Sequence, residues 1–498
     1  MIFEEYRKLD AISMAELINT GQVSAEALLE IAIQRAEAVD GQLNALTHPL
    51  YEHAREQLAG GTTGPLAGVP MLVKDLFQEI AGAPHYRGSQ ALLEADIRAT
   101  EDAVLVRRWK AAGLVPFGRT NTPEFGVKSI TEPEAFGPSR NPWNLKHTPG
   151  GSSGGSAAMV AAGVVPVAGG NDGGGSIRIP AACCGLFGLK PGRGRTPWGP
   201  TLSELMHGMV TNHVLTRSVR DSALILDLTH GPEPGSLFHI APPKRSYLEA
   251  ARTPPGKLVV GFSTTSPLGT PVASEAIQAV EDAATLLDDL GHEVEEAQPA
   301  MEMKQMCMDW LYIWFGQCAA IIEETKLETG ADRTGFESDT LAMAAVGRAL
   351  TVEKYEHCLS QAQAYMLALD SFLDRYDFWL TPTLAQPPSV IGEHKTPAWL
   401  EKLIRASLRI GMAKIIVKSG QIERVALQHF AATPFTQLAN MTGVPAMSVP
   451  LYWCDNGLPL GVQFVGGHGD EGKLLSLAGQ LEQARPWFDK LPSLGTAG

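Results

Sequence analysis

Nowhere in the 498 residues is there a basic stripe, a CxxC pair, an HExxH or an apolar run of bilayer length. Each absence closes a class of function. The longest nearly apolar run, around Ala157 to Ala168, is interrupted by Gly163 and Pro166 and is too short to span a membrane. The six cysteines (Cys183, Cys184, Cys307, Cys318, Cys358, Cys454) form no dense framework, which predicts reduced thiols. The thirteen histidines form no cluster, so no zinc site is expected. A formal net charge of −14, spread along the chain, excludes the electrostatic footprint of a nucleic-acid binder. The opening "MIFEEYRKLDAISMAELI" lacks the basic-then-apolar order of a signal peptide, so a cytoplasmic location is expected, with no membrane partner.

With 44% hydrophobic and 19% charged residues, the chain has the composition of a soluble globular protein. "SAEALLEIAIQRAEAVDG" from Ser24 offers an N-cap serine, apolar residues at helical spacing and a closing Gly41, and a second such helix is expected from Ser274 to Gly291. Between such helices lie short β-rich runs: "GVPMLVK" (68–74), "GLVPFG" (113–118), "KLVVGF" (257–262) and "FWLTPT" (378–383). The alternation predicts an α/β fold, a sheet covered by helices. Residues 300–430 read as mostly helical and rich in Met, Trp and Tyr, a candidate lid or pocket wall on a core of about 1–230 and 430–498, all in one domain.

The chemistry concentrates in "TPGGSSGGSAAMVAAGVVPVAGGNDGGGSIR" (148–178). "VVPVA" (164–168) reads as a strand, three glycines follow Asp172, and Pro180 suits the first turn of a helix. Consecutive glycines let successive N–H groups converge on one point, a nest for a phosphate or an oxyanion. A serine at the far end, Ser176, favours acyl transfer, which needs a nucleophile beside a hole for developing negative charge. No histidine lies near in sequence to activate it. A lysine made neutral by burial is the other base, and Lys74, ending the run "GVPMLVK", is placed to turn inward. Ser152 or Ser153 would relay the proton. "GGSSG" also satisfies the G-x-S-x-G nucleophile elbow, but "RNPWNLKHTPG" before it is no strand, as that elbow requires.

Taken together, "GVPMLVKD", "GGSSGGSAA" and "GNDGGGSIRIPAACCGLFGLKP" resemble the amidase signature family, as do "GRTNTPEF" (118–125), "FTQLANMTGVPAMSVP" (435–450) and "GLPLGVQFVG" (457–466). The resemblance implies a large mixed, twisted sheet between helices and a Ser–cis-Ser–Lys triad. Ser176 then resembles the nucleophile, Ser152 the bridging serine after a cis peptide, and Lys74 the base. Gly173, Gly174, Gly175 and the Ser176 amide correspond to the oxyanion hole. Ser153, Asp172 and Arg178 are expected to brace the loops. The resemblance implies no metal and no organic cofactor, and a small-molecule amide as the partner; a homodimer is left open.

Within that family, "TEPEAFGPSRNPWNL" (131–145) and the position of Cys318 are most similar to the 6-aminohexanoate-cyclic-dimer hydrolases. There a cysteine at position 318 and an asparagine at position 127 border the substrate; here Cys318 is kept and Val127 replaces the asparagine. An unmatched amide in a closed pocket is costly, which counts against the cyclic dimer itself. The alternative for Cys318 is a buried small hydrophobe. The Met- and aromatic-rich "MEMKQMCMDWLYIWFGQC" (301–318) suggests an apolar pocket wall, compatible with a nylon oligomer, an anilide or a carbamate. Two rivals remain: a glutamine-dependent tRNA amidotransferase subunit and a non-catalytic phosphate-binding module.

Overall fold

In the computed structural model, which describes residues 1–409 and 420–494, the expected sheet-and-helix alternation takes the form of one 11-stranded mixed sheet. The strands are β1 (Leu46–Pro49), β2 (Pro70–Lys74), β3 (Val115–Thr120), β4 (Val167–Asp172), β5 (Phe187–Lys190), β6 (Thr211–Thr216), β7 (Val259–Phe262), β8 (Glu293–Glu296), β9 (Phe378–Pro382), β10 (Ala446–Trp453) and β11 (Pro459–Val465). Their spatial order is β1-β3-β2-β4-β6-β5-β10-β11-β9-β7-β8. Helices cover the sheet, and every residue of β2, β3, β4, β9 and β11 is buried.

The helix expected from Ser24 is α1 (Ala25–Leu43). The Ser24 side chain accepts the Ala27 N–H at 3.1 Å, and Leu28, Leu29, Ala32, Ile33, Ala36 and Val39 form the buried stripe. It runs past Gly41 and stops at Asn44, whose left-handed backbone (φ 49°) is held by donation from its side chain to the Phe136 carbonyl at 2.8 Å. The second expected helix spans Ser274–Asp289.

One strand lies later than the sequence suggests. Val164 is not yet in β4: its N–H bonds the Met159 carbonyl at 3.0 Å, closing the end of α2 (Gly154–Ala161). The strand begins at Val167 and takes in Gly169, Gly170, Asn171 and Asp172, paired antiparallel with β6. Gly169 belongs in a strand here because a Cβ would sit 2.2 Å from the Gln78 Oε1. The loop continues into α3 (Arg178–Cys184), with Pro180 in its first turn.

A second apolar core, apart from the one beneath the sheet, is built by α4 (Met303–Thr329), α5 (Ser338–Ala349) and α6 (Val352–Leu373). The described residues of 300–430 are largely helical as expected, but they also supply β9; residues 410–419 of that stretch lie outside the described residues, and β7 and β8 extend the sheet beyond the expected core boundaries. All six cysteines are free and buried. No helix among the described residues is long and apolar enough to cross a membrane.

Candidate active site

Strands β2 and β4 pair in parallel through Leu72 and Ala168, so Lys74 and the Asn171–Asp172 pair emerge at the same edge of the sheet. Lys74 is fully buried. Its Nζ donates to Ser152 Oγ at 2.7 Å and to Asn171 Oδ1 at 2.7 Å. Burial pulls its pKa well below that of an ordinary lysine, against the opposing pull of the Asp172 carboxylate. The amine is thereby biased toward the neutral form.

Ser152 lies in the loop before α2, preceded by a cis Gly151–Ser152 peptide bond, and no strand leads into this loop, in line with rejection of the elbow reading. Ser152, Asn171, Gly173, Gly174 and Ser176 together face a cavity of about 450 Å³. Ser153 stays behind the wall, fully buried. Its N–H donates to the Ser176 carbonyl at 3.3 Å and its hydroxyl to the Asn171 carbonyl at 3.4 Å, so it ties one glycine-rich loop to the other.

Asp172 organises the second loop. Its carboxylate accepts the Gly175 N–H at 2.8 Å and the Ile177 N–H at 3.2 Å, and pairs with Arg178 through Nε at 2.9 Å and Nη2 at 2.8 Å. Both side chains are fully buried. Burial alone would raise the Asp172 pKa; the adjacent Arg178 guanidinium overrides it and holds the carboxyl far below the usual range. Arg178 also reaches the Thr436 carbonyl, Gln463 and Asn440.

The glycine amides divide accordingly. The N–H of Gly175, expected to face an oxyanion, is taken by Asp172, and that glycine instead supplies a positive φ of 121° beside Thr436. No acceptor among the described residues takes the N–H of Gly173, Gly174 or Ser176. Those three are the donors left for a ligand oxygen.

The cavity is walled by apolar side chains, among them Val127, Phe125, Trp310, Trp314 and Phe430. Val127, expected to border the substrate, is part of this wall. Cys318 is not: it is 1% exposed in the second core and absent from the cavity wall, and burial raises its thiol pKa. The small-hydrophobe alternative describes it. One corner of the cavity is polar, where Lys128 bonds Glu337 and Asp339 at 2.9 Å each and Thr396 donates to Asp339 at 2.7 Å.

Sequence reasoning missed Asn171, the second partner of Lys74, and also Thr436 and Gln437, which donate to the Gly174 carbonyl at 2.6 and 3.1 Å. Asn171 was visible as the polar residue before the aspartate in "GND"; nothing local marked the other two.

The family model described as Amidase matches residues 27–475. A 6-aminohexanoate-cyclic-dimer hydrolase of Paenarthrobacter ureafaciens is 37% identical over 492 residues, 97% of this chain and 96% of that protein. The solved structure of 6-aminohexanoate cyclic dimer hydrolase matches with a TM-score of 0.88 at 36% identity, covering 98% of this chain and 99% of that one. A bacterial aryl acylamidase of the amidase signature family matches with a TM-score of 0.83 at 28% identity, covering 98% of this chain and 99% of that one.

Proposed function

The chain belongs to the amidase family and is an amide-bond hydrolase, and from that premise we propose that it cleaves an apolar amide through an acyl-enzyme on Ser176. The observation that carries this reading is the buried Lys74 amine, biased toward neutrality and 2.7 Å from Ser152 Oγ. With one N–H donated to Asn171, a neutral amine can turn its lone pair to Ser152, so that the 2.7 Å contact reverses and the Ser152 hydroxyl donates.

As Ser176 Oγ attacks the amide carbon, its proton passes to Ser152 Oγ while the Ser152 proton passes to Lys74 Nζ. The carbonyl electron pair moves onto oxygen, where the N–H groups of Gly173, Gly174 and Ser176 stabilise it. On collapse the C–N bond breaks and the relay runs backwards, delivering the proton to the leaving nitrogen. Water repeats the sequence on the ester, releasing the acid and restoring Ser176. The chain's own residues move every proton in this scheme.

Substrate class follows from the walls. Val127 offers no hydrogen bond and the aromatic side chains favour a hydrophobic acyl or aryl group. The similarity to 6-aminohexanoate-cyclic-dimer hydrolase supports an apolar amide of the nylon-oligomer kind, with Val127 counting against the cyclic dimer itself and an anilide or a carbamate as the second reading favoured by the Trp310–Trp314 stack. The partner is this small molecule, met in the cytoplasm, with a homodimer left open.

The test pairs a panel of anilides, linear and cyclic aliphatic amides and carbamates with intact-mass detection of the acyl adduct. Wild type should carry the adduct on Ser176, and Ser176→Ala should lose both adduct and turnover with an unchanged melt. An adduct on another residue, or turnover retained by Ser176→Ala, would refute the mechanism.

A further inference from the structure

Trp310 lies on α4, far in sequence from the glycine-rich loops, yet it touches the second of them twice. Its indole Nε1–H donates to the Gly173 carbonyl at 3.1 Å. Its six-membered ring packs so closely on Gly174 that a Cβ there would lie 2.6 Å from Trp310 Cζ2. Trp310 also lines the cavity, stacked on Trp314 with centroids 5.5 Å apart and tilted against Phe430 at 5.2 Å.

The peptide units of the loop are not held equally. The Gly174–Gly175 unit is fixed at both ends, its carbonyl by Thr436 and Gln437 and its N–H by Asp172. In the Gly173–Gly174 unit the carbonyl bonds only Trp310, and the N–H has no partner among the described residues. That unit is trans, so turning the carbonyl toward the indole sends the Gly174 N–H to the opposite side. Flanked by two residues without Cβ atoms, it meets little steric resistance to rotation. A rotated unit would present an oxygen where a developing oxyanion needs a donor.

We propose that Trp310 is a positioning residue: its indole N–H fixes the Gly173–Gly174 peptide so that the Gly174 amide serves the oxyanion, and its ring links that alignment to occupancy of the apolar pocket. The role rests on the acyl-enzyme reading above. It also refines specificity. A substrate whose apolar group presses the indole onto the loop gains in kcat, beyond what it gains in binding, because the contact orders a donor used in the transition state.

Removing the N–H while keeping the ring separates this role from that of a wall. Trp310→Phe does so approximately. Replacement of Trp310 by benzothienylalanine, a near-isostere with sulfur in place of the N–H, does so with minimal change of shape and covers the case in which the phenylalanine variant folds poorly. Steady-state kinetics should be run on the smallest amide accepted and on a bulky anilide, with the Ser176 adduct followed by mass. The expected result is a fall in kcat on the order of ten-fold on both substrates, with KM nearly unchanged, since full loss of an oxyanion donor costs about 10²–10³. A rise in KM confined to the bulky substrate, or wild-type kcat in the benzothienylalanine protein, overturns the positioning role. Wild-type hydrolysis with no adduct on Ser176 overturns it differently, by removing the acyl-enzyme on which it rests.

Discussion

Replacing Lys74 by methionine should abolish turnover and yet stabilise the protein at neutral pH. Two opposed effects set the size of the change. Methionine fills the volume but gives Asn171 Oδ1 no donor, and an orphaned buried acceptor costs about 1–3 kcal/mol at any pH. Against this stands proton linkage. An unfolded lysine titrates near 10.5, whereas the buried Lys74 titrates well below it. Above 10.5 the amine is neutral in both states and only the orphaned acceptor counts. As pH falls below that value the unfolded chain binds a proton that the folded chain refuses. Wild type therefore loses about 1.4 kcal/mol per pH unit relative to the variant, down to the folded pKa. The stability curves should cross about one to two pH units below 10.5, with Lys74→Met the more stable on the acid side. Urea midpoints of both proteins at intervals from about pH 7 to about pH 10 measure this, since shared titrations cancel in the difference. A difference that stays constant over that range would mean that the folded lysine keeps its proton, and the base in the mechanism would be lost with it.

Wild-type kcat/KM should decline as pH falls through the depressed pKa of Lys74, because protonation removes the lone pair that Ser152 addresses; an acid limb that Lys74 substitution leaves in place in any residual activity would point to another group. Asp172→Ala should cost about 3–5 kcal/mol in denaturant melts, since it strands the buried Arg178 charge; a loss below about 1 kcal/mol would show that the pair is not desolvated as described. Val127→Asn should raise kcat/KM for cyclic amides relative to anilides by about five-fold, the worth of about one hydrogen bond, and unchanged selectivity would mean that position 127 does not meet the substrate amide. Cys318→Ala should leave KM unaltered across the whole substrate panel, because the thiol does not border the cavity; a selective rise in KM would reinstate it as a substrate contact.

What could be read in advance follows the range of the interactions. Ser24 advertises its helix because it caps an amide three residues on, and β2, β3, β7 and β9 are apolar runs bounded by their own turn residues. Lys74 and Ser176 stood out because each sits in a glycine-rich or apolar context of distinctive spacing, whereas the choice of Ser152 over Ser153 came from the family resemblance. β4 was displaced because its glycines look like loop residues; they are strand residues, and the missing Cβ of Gly169 admits Gln78 and Trp109 while that of Gly170 admits Leu215 and Ile177. Gly175 could not be told from its neighbours, since its N–H is claimed by a carboxylate whose orientation depends on Arg178, and Arg178 in turn on Asn440 and Gln463. Trp310, Thr436 and Gln437 come from distant segments, and no periodicity in their own stretches distinguishes a side chain that reaches the loop from one that fills the core.

The place of the β10–β11 hairpin bears on biosynthesis. Its strands are the last two of the sheet in chain order, yet they lie in its interior, between β5 on one side and β9 on the other. Until it arrives, the nascent polypeptide holds two half-sheets with bare hydrogen-bonding edges, the kind of surface that pairs with neighbouring chains. Every residue up to 446 must be translated before the keystone starts to form. Chains that stop before residue 446 keep both of those edges bare, the kind of surface on which chaperones and aggregation act.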